Sequence, residues 1–531
     1  MTPTDTVAHT TRLLSRLIQA LQPRVLFHIQ HDTPIFHSVD ILAKSHHLST
    51  IQLPINEVRH ALWLSKLPVE ALEYWNHVKI DLVVITDRRP HSLSRLFNSL
   101  GHSKYLGDKV DLTVHMEQSA DRVTRLFVNN LYWEHGIKKI RHRIRKGGLM
   151  PAIIESWYPS NNNNYGVILE DDIEVSPLFY AWAKYNILHY RYSLSNAEAY
   201  PWMYGISLYS PRNLELMPEG RISFDPNDVL LPNHFPPRTP YASQVPCSWG
   251  AVYFPEHWRE FHQYLTSRLV DLQEKTPRLN IFVPNSRSER WKKSWKKYFI
   301  EMVYLRAYVM VYPNFQDFES FSTNHLEFGT HVKHDRAQTA LDSFVVPLMQ
   351  RDTLFNQLPE QQLPSFEKLP MMDLWGTLMT HRQMDIVASE WHKEVSACPR
   401  QQLYDRFDSQ DLLCPFPSNS SHHKTKHINT DIKKPAPSKA TTKKKAPKAV
   451  KTKHMLEHIE YVTVYVDEQQ GDHDSSSQFD MSAWDEMPEP LDVATMTTSA
   501  SDHEHEDDEF KDLEENWQTL QKIATQQQQP L

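Results

Sequence analysis

The stretch Tyr165-Gly166-Val167-Ile168-Leu169-Glu170-Asp171-Asp172-Ile173 sets five mostly apolar residues directly before three acids. A short β-branched run of this kind reads as a buried strand of a wound sheet. In an open α/β sheet, ligands bind beyond the carboxyl ends of the strands, so the acids would stand at the ligand crevice. Hard carboxylate oxygens suit Mg²⁺ or Mn²⁺. A cation held there can bridge two phosphates and offset the charge of a departing diphosphate. The competing reading of the triplet alone is a solvated acidic turn.

The neighbouring segments repeat the pattern on both sides. Ile80-Asp81-Leu82-Val83-Val84-Ile85 predicts a strand that ends in Thr86-Asp87-Arg88-Arg89-Pro90, and Ser92 to Leu100 has helical spacing. Val110 to Val114 predicts a second strand, followed by a helix from about Ala120 to His135. After the acids come an aromatic-rich helix (Pro177 to His189) and strands at Met203 to Leu208 and Trp249 to Phe254. Helices near 256–273 and 291–307 lead to a last strand at Val309 to Tyr312. Alternating strand and helix is the signature of an α/β fold with a mostly parallel sheet.

Composition narrows the function classes. The chain has 531 residues, room for about three domains at roughly 150 residues each. Its 12 glycines against 35 prolines speak against a glycine-rich phosphate loop. A formal net charge of −8 argues against a nucleic-acid partner, because binding a phosphate backbone needs a basic surface. Cys247, Cys398 and Cys414 make neither a disulfide framework nor a zinc cluster; one pair could bridge, and a reducing compartment fits. No stretch approaches the twenty apolar residues of a transmembrane segment, and the Leu-rich run Leu13 to Leu21 is broken by Arg16 and Gln19.

The expected organisation is an N-terminal helical and irregular segment (1–75), a central domain (76–340), a helical extension (341–415) and a mostly disordered tail (416–531). The tail is first basic, around Lys443-Lys444-Lys445, then acidic, around Glu504 to Glu509, and cannot bury enough apolar surface to fold alone. Within it, Ile459 to Val466 could be a strand, about Phe510 to Ala524 a helix, and Asn419-Ser420-Ser421 is a formal glycosylation sequon.

The run Gly166 to Pro177, with Glu170-Asp171-Asp172 at its centre, resembles the acidic metal-binding (DXD) region of GT-A glycosyltransferases. The Glu-Asp-Asp form is similar to N-acetylglucosaminyltransferase I, and the wider sequence to family 2-like glycosyltransferases of fungi and plants. The resemblance covers roughly 79–335. It implies a GT-A, Rossmann-like nucleotide-diphospho-sugar transferase fold, a Mn²⁺ or Mg²⁺ cofactor and a nucleotide-sugar donor, with UDP as the nucleotide. By this resemblance Asp172 holds the metal, supported by Asp171, with Glu170 on ribose or metal-bound water. Thr86, Arg88 and Arg89 fall in the nucleotide-binding turn. Glu117 stands where an acid reads base or ribose, with Glu in place of the usual Asp.

Other positions carry two readings each. Arg143 and Lys146, in the basic run Arg141 to Leu149, would bind diphosphate oxygens through charge-assisted hydrogen bonds, with Gly147-Gly148 allowing close backbone approach; the alternative is a solvated, glycine-capped helix end. Trp249 and Gly250 look like the acceptor-side loop, with Trp249 stacking on a sugar, or Trp249 is a core residue. Glu301 lies where these enzymes carry the base that deprotonates the acceptor, or it pairs with Lys297 one helical turn earlier. Of two histidines after the last strand, His325 and His331, the resemblance favours His331 as a further metal or diphosphate ligand.

The expected activity is sugar transfer from the donor to an acceptor hydroxyl with inversion, the acceptor being a glycan, lipid or protein. A non-catalytic binding module of the same fold is the alternative, and a metal-dependent phosphoryl or nucleotidyl transferase a third reading. Without a visible anchor the chain reads as soluble and intracellular; family resemblance points to the Golgi if the N-terminus is incomplete.

Overall fold

The structure, a computed structural model, describes residues 3–30, 34–325, 344–350, 355–401 and 407–417. The N-terminal segment holds more order than expected. Helix α1 (Pro3–Leu21) leads to strand β1 (Val25–Gln30), and α2 (Pro34–Ser45) crosses over to β2 (Ser49–Pro54), which pairs in parallel with β1. These strands escape a sequence reading because their polar and apolar residues do not alternate cleanly. Ile51 and Leu53 of β2 are buried in the main core, as are Trp63 and Trp75 around the short helix α3 (Val69–Glu73).

The central sheet begins with β3 (Lys79–Thr86), β4 (Leu112–Met116), β5 (Lys138–His142) and β6 (Asn164–Glu170), all parallel. The short β7 (Ile173–Val175) follows the acids. The sheet continues through β8 (Met203–Ser207), and the small hairpin β9 (Asn213–Leu214) and β10 (Ile222–Ser223) stands apart. Next come β11 (Tyr241–Ser243), β12 (Ala251–Tyr253) and β13 (Val309–Tyr312). A separate strand, β14 (Ser322–Asn324), pairs with β7. β15 (Met371–Met372) and β16 (Leu378–Met379) complete ten strands in the order β16-β15-β11-β13-β8-β12-β6-β3-β4-β5. β12 runs antiparallel to both β6 and β8. This is an α/β fold with a mostly parallel central sheet.

Alternate side chains of β3 explain the layers. Leu82 and Val84 face a core shared with α4 (Pro90–Gly101), α5 (Arg122–Asn130) and α7 (Phe179–Arg191). Val83 and Ile85 face the other, with α6 (Leu149–Ile154), α9 (Pro255–Gln273) and α10 (Trp295–Arg306). Between β9–β10 and β11 lies α8 (Pro226–Leu230), and α11 (His381–Val395) starts at a capping box made by Thr380 and Gln383. Leu93, Leu96, Phe97 and Leu100 bury one face of α4, as their spacing requires.

Several expectations need correction. The basic run Arg141 to Leu149 does not close a helix: it leaves the edge strand β5 (Lys138–His142), exposed from Lys139 onward, and Gly148 caps the start of α6. Cationic side chains suit an edge because they discourage further strand pairing, and they also erase the apolar signal of a strand. Cys398 and Cys414 form a disulfide, with Cα atoms 5.6 Å apart, which the reading of a reducing compartment did not anticipate; Cys247 is a buried free thiol. The tail features at 459–466 and 510–524, and the sequon, lie outside the described residues. No helix among the described residues is long and apolar enough to cross a membrane.

His257 on α9 packs against Tyr308 and Phe407, with ring centroids 4.6 and 4.7 Å away, and its Nε2 lies 3.1 Å from the Pro201 carbonyl. Burial pushes its pKa down to about 3 from an ordinary value near 6.5. Between these values the unfolded chain binds a proton that the folded chain does not, so stability falls as pH drops from 6.5 toward 3. Urea unfolding of His257→Gln at pH 7 and pH 4.5 should show a smaller acid-induced loss than the native chain; an unchanged pH slope would overturn this.

Candidate functional site

β3 and β6 pair in parallel with Ile85 opposite Glu170. Chain connections leave β3 toward β4 on one side and reach β6 on the other, so the carboxyl ends of β3 and β6 flank a topological switch point, where an open sheet leaves a crevice. One residue beyond the Ile85–Glu170 pair, Thr86 Oγ1 donates to Asp171 Oδ2 at 2.9 Å. Arg89, just before the Pro90 start of α4, places Nη1 3.3 Å from Asp171 Oδ1 and 3.5 Å from Asp172 Oδ2.

Asp172 is held from the far side as well. β14 pairs with β7 so that Asn324 faces Ile173, and Asn324 Nδ2 donates to Asp172 Oδ1 at 3.2 Å. The His325 amide donates to the Asp172 carbonyl at 2.9 Å, while the His325 ring lies 2.6 Å from Glu174. That hydrogen bond holds the Glu174 carboxyl below the usual range. His325 is therefore committed to Glu174, and the favoured His331 lies outside the described residues.

The carboxylates are electrostatically crowded. Burial, and then the neighbouring Asp172 and Asp171, push Glu170 up to about 8. Burial also raises Asp171, against the opposing pull of Arg89 and Thr86. Like charges drawn together out of water disfavour ionisation.

Glu117 and the basic run meet, but not as expected. Glu117, at the end of β4, is buried and accepts from the Gly148 amide at 3.0 Å and the Gly147 amide at 3.3 Å. Arg143 lies 3.8 Å from Glu117 and 3.0 Å from Glu155. A buried carboxylate needs donors, and the glycine amides and Arg143 supply them to Glu117. Lys146 is exposed on the same loop. Arg88 is exposed and contacts the carboxylate of its neighbour Asp87, apart from the acidic cluster. Asp87, which the sequence reading passed over, accepts from Ser119 Oγ at 2.8 Å and ties the ends of β3 and β4.

On the other side of the acids, Ala251 pairs with Ile168, which carries Gly250 and Trp249 alongside Leu169 and Glu170. Gly250 has φ +91°, and a Cβ there would meet Ser322 Oγ at 2.9 Å, so glycine is required on both counts. Ser322 Oγ donates to the Trp249 carbonyl at 2.6 Å, linking this loop to β14 and through it to Asp172. Trp249 is half-buried, its ring edge-on to Tyr209 at 4.9 Å.

Glu301 is not at this rim. It is fully buried on α10, where it accepts from Tyr264 at 2.8 Å, Lys297 at 2.9 Å and Arg268 at 3.2 Å. With its oxygens occupied and no route to solvent, Glu301 is a structural counter-ion, and the pairing with Lys297 describes it correctly. Removing one partner of a buried charge network costs about 3–5 kcal/mol. Glu301→Ala should therefore lower the urea midpoint sharply. A variant of native stability that had lost turnover would restore Glu301 as the base.

The family described as "SPBC1E8.03c C-terminal domain" matches residues 88–204 and 227–274, which takes in the acidic triplet and the Trp249-Gly250 loop. No curated protein matches the chain. Among solved structures, S. aureus TarS 1–349 in complex with UDP-GlcNAc is similar at 10% identity and a TM-score of 0.27, over 48% of this chain and 60% of that one. GalNAc-T7 with UDP, GalNAc and Mn²⁺ is similar at 12% identity and a TM-score of 0.29, over 45% of this chain and 42% of that one. Less than two thirds of either neighbour is covered.

Proposed function

We propose that this chain is a glycosyltransferase that moves a sugar from a UDP-sugar to an acceptor hydroxyl, with inversion, using Mn²⁺ or Mg²⁺. The observation that carries the reading is the gathering of Asp171 and Asp172 on the guanidinium of Arg89, with Glu170 beside them, at the switch point of the sheet. Among the described residues, no group of three or more His, Cys, Asp or Glu is arranged to hold a metal ion by itself. The donor set nevertheless fits a hard cation of the Mg²⁺ class, which takes one or two carboxylates and completes its shell with water and substrate phosphates. Asp172 and Asp171 would hold it, and when bound it would neutralise the diphosphate as the sugar leaves.

The chain's own residues then have distinct tasks. Thr86 fixes the rotamer of Asp171 from the buried side, and Asn324 orients Asp172. Arg89 keeps the two aspartates together and is the cation in reach of an incoming diphosphate. Trp249 and Gly250 form the acceptor side, across the β6–β12 pair from the acids. The Cys398–Cys414 bridge favours an oxidising lumen, where disulfides persist, over a reducing cytosol.

Full-length protein with Mn²⁺ should release UDP from UDP-GlcNAc or UDP-GalNAc, and EDTA should abolish the release. Asp172→Asn should slow it by roughly a hundredfold or more, the scale of losing an electrostatic stabiliser of a leaving group, with unfolding little changed. UDP binding without turnover of any donor would replace this reading with the non-catalytic module.

A further inference from the structure

From Tyr132 to Lys146 the chain carries six cations and one acid, Glu134. Two of the cations are turned inward: Lys138 donates to the Val128 and Asn129 carbonyls at the end of α5, and Arg143 faces Glu117 and Glu155. Lys139, Arg141, Arg145 and Lys146 are exposed, with Lys139 3.8 Å from Asp111. Apolar side chains project into water among them. Tyr132 is 82% exposed, Ile137 61% and Ile144 92%, and Ile140 on β5 is exposed too. β5 is the outermost strand of the ten-stranded sheet, so among the described residues no further strand covers it.

Protection of a sheet edge explains only part of this surface. Cations on β5 itself deter further pairing, but Ile144, Arg145 and Lys146 lie beyond its last paired residue, His142. Single exposed apolar residues are ordinary; four of them within one basic stretch are not. The whole chain has a net charge of −8, so attraction to an anionic surface must come from a local patch of this kind.

We propose that this edge is a docking surface for an anionic lipid bilayer. Lys139, Arg141, Arg145 and Lys146 meet the charged headgroups, while Ile144 enters the headgroup layer. Cations around a projecting aliphatic side chain match a leaflet that is charged at its surface and apolar beneath. A nucleic-acid strand or an acidic protein segment would use the cations and leave Ile144 in water. Arg143 and Glu117 join this edge to the rim of the sheet, so the docked protein holds its crevice beside the leaflet. Docking of this kind is independent of the glycosyl-transfer reading.

Full-length protein should co-sediment with vesicles of roughly three parts phosphatidylcholine to one part phosphatidylserine, and not with phosphatidylcholine alone. The bound fraction should fall as salt rises. Arg141→Gln with Arg145→Gln should bind the charged vesicles roughly tenfold or more weakly, because each cation at an anionic leaflet contributes about a factor of five. Ile144→Ser should also weaken binding several-fold. Both variants should unfold where the native chain does, since all three side chains are exposed. The Lys-rich tail is a rival source of charge. The triple variant Lys443→Gln, Lys444→Gln, Lys445→Gln should therefore bind more tightly than the Arg141 and Arg145 variant; the reverse order would move the contact to the tail and overturn the proposal. Native binding in Ile144→Ser would overturn it as well. Preference for a single-stranded oligonucleotide over the vesicles would replace lipid with nucleic acid, and no binding of the native chain to charged vesicles would end the proposal outright.

Discussion

The hydrogen bond from Thr86 to Asp171 joins the ends of two parallel strands at the point where the sheet changes direction. It depends on the register of β3 and β6, since a one-residue slip would turn Asp171 to the opposite face. With Asp171 fixed, Arg89 at the start of α4 can reach both aspartates, and the chain after Asp172 can turn into β7. β14 then pairs with β7 and delivers Asn324 to Asp172 and Ser322 to the Trp249 loop. The two halves of the crevice are thus coupled through one short strand pair that lies outside the main sheet.

Charge is handled differently at the rim and in the helical layer. On α10, Glu301 is closed in by Lys297, Arg268 and Tyr264. Arg306, at the end of the same helix, is bound by Glu260 and Asp411, and the Cys398–Cys414 bridge holds the segment that carries Asp411. Such networks satisfy each ion with an opposite partner, the condition for burying charge at all. At the end of β6 Asp171 and Asp172 both lie beside the guanidinium of Arg89, and burial together with these two neighbours pushes the Glu170 carboxyl up.

Glu117 shows that a position on the sheet's rim does not fix a side chain's partners. It sits at the end of β4, on the rim where a nucleotide-reading acid was expected, yet it takes the amides of Gly147 and Gly148. The same two glycines seemed suited to a phosphate because exposed amides attract anions. The protein supplies the anion from its own chain, which stiffens the turn between β5 and α6. Glu215 and Lys296 make the reverse case. Nothing in their local sequence marks them, and their ion pair forms only where α10 meets the chain that follows β9.

The sequence by itself determined the wound α/β layout and set three acids at the carboxyl end of one of its strands. Apolar runs such as Ile80 to Ile85 and Tyr165 to Leu169 declare buried strands, and polar residues at their carboxyl ends fall at the rim by topology alone. It also exposed Asp171, Asp172, Thr86 and Arg89, because each lies within a few residues of a strand end. Tertiary structure decided everything that joins distant segments: the sealing of Glu301, the pairing of Glu117 with Gly148, the grip of Asn324 on Asp172 and the basic edge strand β5. The physical reason is range. Hydrophobic periodicity is set by near neighbours along the chain, whereas the partner of a buried charge or hydroxyl is chosen by packing, and in this protein that partner is most often more than thirty residues away.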